Sequence, residues 1–469
     1  MMSRTTYRLT MIAATLALAG CAIGPDYVRP ATPLPASYAE ATASEPASVN
    51  ARWWTLFGDA TLDQLVDKAL QNNADLRLAI ARVEQADAVA REAGASFFPE
   101  ITGNAGGSNT QASTKTATYT SAMPRIRNSR SASLSTSYEL DIWGRVRRAN
   151  EAAKATQLAT AYARDSVRLS VAGLVTATYL GLRAADAQLQ MTAATLKSRE
   201  ESLKLVNTRI DAGLGAPVDG HQAATALAAA QAQQADLTRQ RALAEHQLAL
   251  LTGDPSLKVA AGDLRTLPLP PQPPAGLPAD LVAARPDIRQ AEQELVAANA
   301  GIGIAKAGYF PRLSLTASLG SESKALSDLF SAGSGTWALG LGALMPILDF
   351  GRTSARVDQA KAVNQQSLIA WQNALAVAYK EVRDALVSLR EDAKAEAAQQ
   401  TRVDNAAQVL AIVEKRYAAG HAGYLEVLDA QRSHNDAAIA AISARQARLI
   451  AGVDLFKALG GGWQPAAAN

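Results

Sequence analysis

The sequence predicts a mostly α-helical chain that also supplies strands to a membrane β-barrel, and it predicts that this plan occurs twice. Three observations carry that prediction. Residues 73–253 are echoed by 285–460 at an offset of about 207 to 212 positions, a period that suits two similar halves rather than a solenoid of short repeats. Each half holds two stretches of about ten residues, the clearest of them alternating apolar with small polar side chains, which is the period of a strand. The second half also runs from Arg352 to Tyr417 with neither proline nor glycine, about 66 residues or roughly 100 Å of α-helix.

Residues 1–20 read as a signal peptide. Arg4 and Arg8 precede an apolar run from Leu9 to Ala19 that is too short to span a bilayer as a helix. The run ends in Leu18-Ala19-Gly20-Cys21, which resembles the bacterial lipoprotein box, where Cys21 becomes the lipidated first residue. Cys21 is the only cysteine, so no internal disulfide accounts for it. Ala22 rather than aspartate after it points to the outer membrane if the usual bacterial sorting rule applies. The lipidated segment 21–60 is rich in Pro and Ala as far as Asn50, then carries Arg52-Trp53-Trp54-Thr55-Leu56-Phe57-Gly58-Asp59, expected to be extended.

The first repeat is expected over residues 61–260. A helical region runs from Thr61 to Ala95, with Leu62, Leu65, Val66, Ala69 and Leu70 on one face and Pro99 preventing continuation. A strand hairpin follows at about 100–140, then a long helical hairpin at about 146–251. A Pro-rich connection at 261–285 includes Leu267 to Pro274, whose prolines favour an extended, semi-rigid path. The second repeat, 286–460, has the same order: a helix from Pro286, a strand hairpin at about 312–346 and a helical hairpin at about 352–459. Residues 461–469 form a tail. Four segment pairs tie the halves together: Asn73-Ala-Asp75-Leu76 with Arg285-Pro-Asp287-Ile288; Phe97-Phe98-Pro99 with Tyr309-Phe310-Pro311; Asp141-Ile142-Trp143-Gly144-Arg145 with Asp349-Phe350-Gly351-Arg352; and Arg209 to Gly213 with Arg416 to Gly420.

Alternation is clearest where Ala132, Leu134, Thr136, Tyr138 and Leu140 interleave with serines and Glu139, and where Leu313, Leu315, Ala317 and Leu319 interleave with Ser314, Thr316 and Ser318. Two further strands are expected near Glu100 to Ala112 and Thr336 to Pro346. Ten residues cross a bilayer when tilted. An open sheet in lipid leaves edge N–H and C=O groups unpaired, and four strands cannot close on themselves because the smallest natural barrels use about eight. Several chains must therefore share one barrel, and three copies would give twelve strands. A soluble antiparallel sheet of an α+β protein is the alternative.

Along the second long helix Leu368, Trp371, Leu375, Ala378, Val382, Ala385 and Leu389 recur at spacings of three and four, and Val403, Ala406, Leu410, Val413 and Tyr417 resume the register. This is a coiled-coil seam, interrupted by the polar Asp392 and Gln399. Its first-half equivalent runs from Val146 to Ile210. Both return through a second helix, Val218 to Leu251 and Tyr424 to Leu459.

Several functions are disfavoured. Lys and Arg number 46 against 43 Asp and Glu, so no basic footprint for nucleic acid exists. Gly301-Ile302-Gly303-Ile304-Ala305-Lys306 lacks the third glycine of a dinucleotide fingerprint and follows helix, and no GxxxxGK occurs. His221, His246, His421 and His434 lack metal-site spacing. No catalytic residue, metal or cofactor is implied.

In their order, the Leu18-Ala-Gly-Cys21 box, Gly24-Pro25-Asp26-Tyr27, Trp53-Trp54, the two Phe-Pro strand entries, the two Asp/Gly-Arg segments and Tyr417-x-x-Gly420 with Leu425-Glu426-Val427-Leu428-Asp429-Ala430 resemble the outer membrane factors of tripartite export systems, the TolC-type channels, and within them the lipoprotein efflux branch. The resemblance covers essentially the whole chain. It implies a homotrimer whose twelve strands form an outer membrane barrel, continued by a twelve-helix α-barrel in the periplasm. It implies a passive exit duct for small solutes (drugs, toxic organics or metal ions), working with a periplasmic adaptor and an inner-membrane pump of RND type. It also implies a periplasmic gate at the turns 211–217 and 418–423, with Tyr417 as the tip tyrosine, Glu426 and Asp429 as carboxylates at the constriction, and Asp219 as the first-half counterpart of Glu426. Where the family's best-known member has an arginine between tyrosine and carboxylates, this sequence has Ala422 beside His421. Acidic residues in a first helical turn also serve as caps, a reading that stands level with the gate for Asp219. A type I protein-secretion outlet and a non-conducting coiled-coil lipoprotein scaffold are the alternatives.

Overall fold

A computed structural model describes residues 22–31, 52–117, 119–271 and 284–461. The signal peptide, Cys21, residues 272–283 of the Pro-rich connection and all of the tail beyond Gly461 lie outside them. Eleven principal elements follow the expected order. They are α1 (Ala60–Asn72), α2 (Ala74–Ala95), β1 (Glu100–Gln111), β2 (Ile126–Leu140), α3 (Arg145–Asp211), α4 (Pro217–Thr252), α5 (Pro286–Ala307), β3 (Arg312–Ser323), β4 (Gly335–Leu344), α6 (Arg352–Ala418) and α7 (Tyr424–Ala458). The chain divides into two compact units, one of residues 22–31, 83–160 and 291–371, the other of 52–82, 161–271, 284–290 and 372–461.

The first unit holds one antiparallel sheet in the order β1-β2-β3-β4. β2 and β3 join the two repeats, with Leu134 opposite Leu319 and Leu140 opposite Leu313. The Asp/Gly-Arg segments prove to be the caps that start the two long helices. Asp141 accepts from the amides of Val146 and Arg147, each at 2.9 Å, and Asp349 accepts from that of Thr353 at 2.8 Å, satisfying amides that a helix start leaves orphaned. The N-terminal segment packs on α5 in the same unit. Asn299 donates to the Pro25 carbonyl at 2.9 Å, Tyr27 donates to Glu292 at 3.2 Å, and the backbone at Gly24 lies so close to Gly303 that a side chain at either would collide with the backbone facing it.

In the second unit the expected continuous helix 61–95 is interrupted at Asn73. The Asn73 side chain accepts from the amides of Asp75 and Leu76 and donates to the Leu251 carbonyl at 3.1 Å, so it ends α1, caps α2 and ties both to the end of α4. Its repeat equivalent, Arg285, donates to the Ala458 carbonyl at 3.0 Å at the end of α7. A second correction concerns 52–59, expected to be extended. Trp53–Phe57 is a 3-10 turn because only a tight turn lets Trp53, Trp54 and Phe57 all be buried, at 1%, 2% and 0% exposure. Such burial contributes about 2–3 kcal/mol per side chain. Trp53 stacks on Phe456 with ring centroids 5.3 Å apart.

The coiled-coil seam holds. Trp371, Leu375, Ala378, Val382 and Ala385 are buried, and Val403, Ala406, Leu410, Val413 and Tyr417 are half-buried. Between Asp392 and Gln399, Glu396 bridges Arg445 at 2.8 Å and Arg448 at 2.7 Å on α7. A buried network also joins α3 to α4. Asp186 accepts from Arg183, from Arg241 at 2.7 Å and from the Gly262 amide at 3.0 Å.

Candidate functional site

The strands explain why serine recurs. Following the register across the sheet, Ile101, Leu134, Thr136, Tyr138, Leu313, Leu315, Leu319, Trp337, Leu339 and Leu341 share one face. Trp337, Leu339 and Leu341 are 79%, 70% and 70% exposed, an apolar surface that the described residues leave uncovered. The opposite face carries Thr102, Asn104, Ser133, Ser135, Ser137, Ser314, Thr316 and Ser318. One side therefore suits lipid and the other water. The outer edges of β1 and β4 have no strand partner among the described residues, which lipid does not tolerate.

At the helical turns of the second unit, both chain reversals use the same stop. Gly213 and Gly420 have φ of 74° and 77°. The amide after each reaches the carbonyl of Arg209 or Arg416 five residues back, at 2.8 Å in both turns, a Schellman motif in which glycine alone adopts the left-handed backbone without strain. Tyr417 and Tyr424 lie with ring centroids 5.9 Å apart over Val206, Ala223, Ile210 and Leu428. The Tyr424 hydroxyl is buried without a hydrogen-bond partner among the described residues, and burial raises its pKa. Burial also lowers the pKa of Arg199, which donates to Gln431 at 2.7 Å.

The predicted gate residues are brought to one end of the hairpins but not into one contact. Glu426 lies 3.5 Å from Arg416, with side chains 51% and 53% exposed, and its carboxylate reaches back to the Gly423 amide at 3.4 Å. Asp429 pairs with Arg432 at 2.8 Å and lines a groove of about 510 Å³ between α4 and α7, with Arg199, His221 and Asn435. Asp219 is half-buried in the first turn of α4. Tyr417 carries the Arg209 guanidinium over its ring at 4.5 Å, an arrangement favourable to the cation. Sequence reasoning looked for a cation between the tyrosine and the carboxylates and missed Arg416, one residue before the tyrosine. The signal was present: Arg209 and Arg416 occupy equivalent positions in the last turns of α3 and α6, where a helix favours positive charge.

The family described as "Outer membrane efflux protein" matches this chain twice, over residues 65–254 and 277–461. The chain belongs to that family. Each match is one of the two repeats read from the sequence. The solvent efflux pump outer membrane protein SrpC of Pseudomonas putida is 37% identical, covering 96% of this chain and 97% of the relative. The cation efflux system protein CusC of Escherichia coli is 34% identical over 97% and 99% of the two chains. Among solved structures, CusC superposes with a TM-score of 0.85 at 32% identity over 94% of this chain and 100% of that one. The MtrE outer membrane channel of Neisseria gonorrhoeae, in its open state, gives 0.86 at 31% over 94% and 98%. Several solved structures that this outer membrane efflux protein resembles are described as outer membrane channels.

Proposed function

We propose that this chain is one subunit of a passive exit duct. Three copies close their four-stranded sheets into one twelve-stranded barrel in the outer membrane, and their helical hairpins continue it through the periplasm. The observation that carries this reading is the sheet itself, apolar on one face, lined with serine and threonine on the other, and open at both edges. Closing the sheet with two further copies removes the edges, turns the apolar face to lipid and encloses the hydroxyl face around water. A hydroxyl-lined wall passes many small solutes without binding any tightly.

Relatives named for solvent, cation and antibiotic efflux favour small toxic solutes as cargo. Energy comes from partners, an inner-membrane pump of RND type reached through a periplasmic adaptor. Cys21 anchors each subunit to the membrane through acyl chains worth about 0.8 kcal/mol per buried CH2. Tyr417, Glu426, Asp429 and Asp219 act at the closed end, with Arg416 and Arg432 neutralising the two carboxylates from within the same chain. The test is ion conductance of the purified protein in a planar bilayer, with its oligomer mass measured in parallel. A trimer conducting in small steps is expected; a monomer that never conducts overturns the duct.

A further inference from the structure

We propose that the groove between α5 and α6 is a subsite for amphipathic organic anions, held by Arg352 and Arg356 against an apolar wall of Ile304, Phe310 and Leu344. Its place on an exit path rests on the duct reading, whereas its shape and charge belong to one chain alone.

The space comes from small side chains. Gly301, Ala305 and Gly308, four and three positions apart, fall on one helical face and stand across from Arg352, Arg356 and Val363 on the first turns of α6, enclosing a groove of about 740 Å³. A side chain added at Gly301 would meet nothing within 4 Å, whereas one at Gly303 would collide with the Ile23 carbonyl. The two glycines of the Gly301-Ile302-Gly303 stretch thus serve opposite sides of α5, one packed under the N-terminal segment and the other open to the groove.

The sheet fixes which way the groove opens. Arg312 and Leu344, both in its lining, are opposite each other in the register. Arg312 is two residues before Ser314 and four before Thr316, so both lie on the hydroxyl face, the face that the duct turns to water. Leu344 is 72% exposed there, an apolar side chain on a surface otherwise built of serine, threonine and glycine. Phe310 is fixed beside it by stacking on Trp143, ring centroids 4.8 Å apart, so the apolar wall is formed before any ligand arrives.

The charges in the lining are unequal. Arg145 and Arg312 share Glu139, the first through two bonds of 2.7 Å and the second at 3.6 Å. Arg352 and Arg356 are exposed, and neither makes an ion pair among the described residues. Asp349, the only carboxylate in the lining, is engaged by the amides of Gly351 at 3.0 Å and Thr353 at 2.8 Å. Four guanidiniums against Asp349 and Glu139 leave two positive charges in surplus. A guanidinium fork matches a carboxylate or sulfonate. A bare inorganic anion would leave the apolar wall wet, and a neutral apolar solute would leave the guanidiniums without a partner. A molecule with an acidic head and an apolar body satisfies both.

The test uses the full-length protein in a nonionic detergent, with naphthalenesulfonate as probe and native mass measured first. A monomer overturns the duct and with it the subsite's place on an exit path. Given a trimer, isothermal titration is expected to show saturable binding of the sulfonate, tighter than that of inorganic sulfate or of naphthalenemethanol, and weaker as salt screens the guanidiniums. Arg352→Gln with Arg356→Gln should weaken it about tenfold, the scale of one charge-assisted hydrogen bond, at an unchanged thermal midpoint. Gly301→Leu keeps every charge but fills the groove, and should weaken binding as well. In planar bilayers the probe should reduce the conductance of wild type more than that of the arginine variant. A trimer that binds no sulfonate, or whose two variants bind it as tightly as wild type, overturns the subsite. Binding with no effect on conductance shows a groove that does not open into the duct and overturns its place on the path.

Discussion

Replacing Glu426 and Asp429 together by alanine removes one ion pair at the α6–α7 turn and one on the first turns of α7. Both pairs are more than half exposed, 53%/51% for Arg416–Glu426 and 70%/63% for Arg432–Asp429, so each belongs to the class worth about 0.2–1 kcal/mol, and the exposure argues for the low end. At about 0.3 kcal/mol for each of two pairs in three copies the pairs total about 2 kcal/mol, which sets the largest shift toward open at about 30-fold, reached when opening breaks all of them. The expected result is a higher mean conductance in planar bilayers, largest at low salt, because exposed pairs are screened. Glu426→Gln with Asp429→Asn separates charge from capping, since the amide oxygen can still accept from the Gly423 amide. That variant should open as far as the alanine variant. Unchanged conductance in both refutes the gate assignment, and a change confined to alanine means that Glu426 acts as a cap.

Three other outcomes are expected. Cys21→Ser abolishes acylation, read by mass spectrometry, while the trimer still assembles, because lipid and barrel are separate anchors; loss of the trimer would mean the barrel is not self-sufficient. Asp186→Ala leaves buried Arg183 and half-buried Arg241 without their shared carboxylate and costs about 3–5 kcal/mol, seen as a lower thermal midpoint of helical circular dichroism, with Asp186→Asn milder. Burial raises the Glu396 pKa, but Arg448 and Arg445 outweigh it and hold the carboxylate below the ordinary 4.5. A carboxylate with a depressed pKa stabilises the fold above its unfolded value and loses that contribution as pH falls through the folded one. Glu396→Gln should therefore be less stable than wild type at neutral pH and lose less stability on acidification below pH 4.5.

Much of this protein was legible because its information is periodic. Two-residue alternation, three-and-four spacing, and a repeat at an offset of about 207 to 212 positions need no knowledge of what touches what, and they yielded four strands, two long hairpins and their order. The Phe-Pro and Asp/Gly-Arg segments were visible as repeats too, although their work was not. Only tertiary structure showed that Asp141 and Asp349 cap the long helices, that Asn73 breaks the first helix to reach Leu251, and that the Trp-Trp segment turns to stack on Phe456. Each of those contacts joins residues whose partner is chosen by packing, not by spacing. The same holds at the tip. The sequence placed Tyr417, Glu426, Asp429 and Asp219 near two turns by resemblance, but Arg416 was assigned to Glu426 only once the turn brought the two within 3.5 Å. A charge has no periodicity to announce its partner, and the fold supplies that partner by bringing distant segments together.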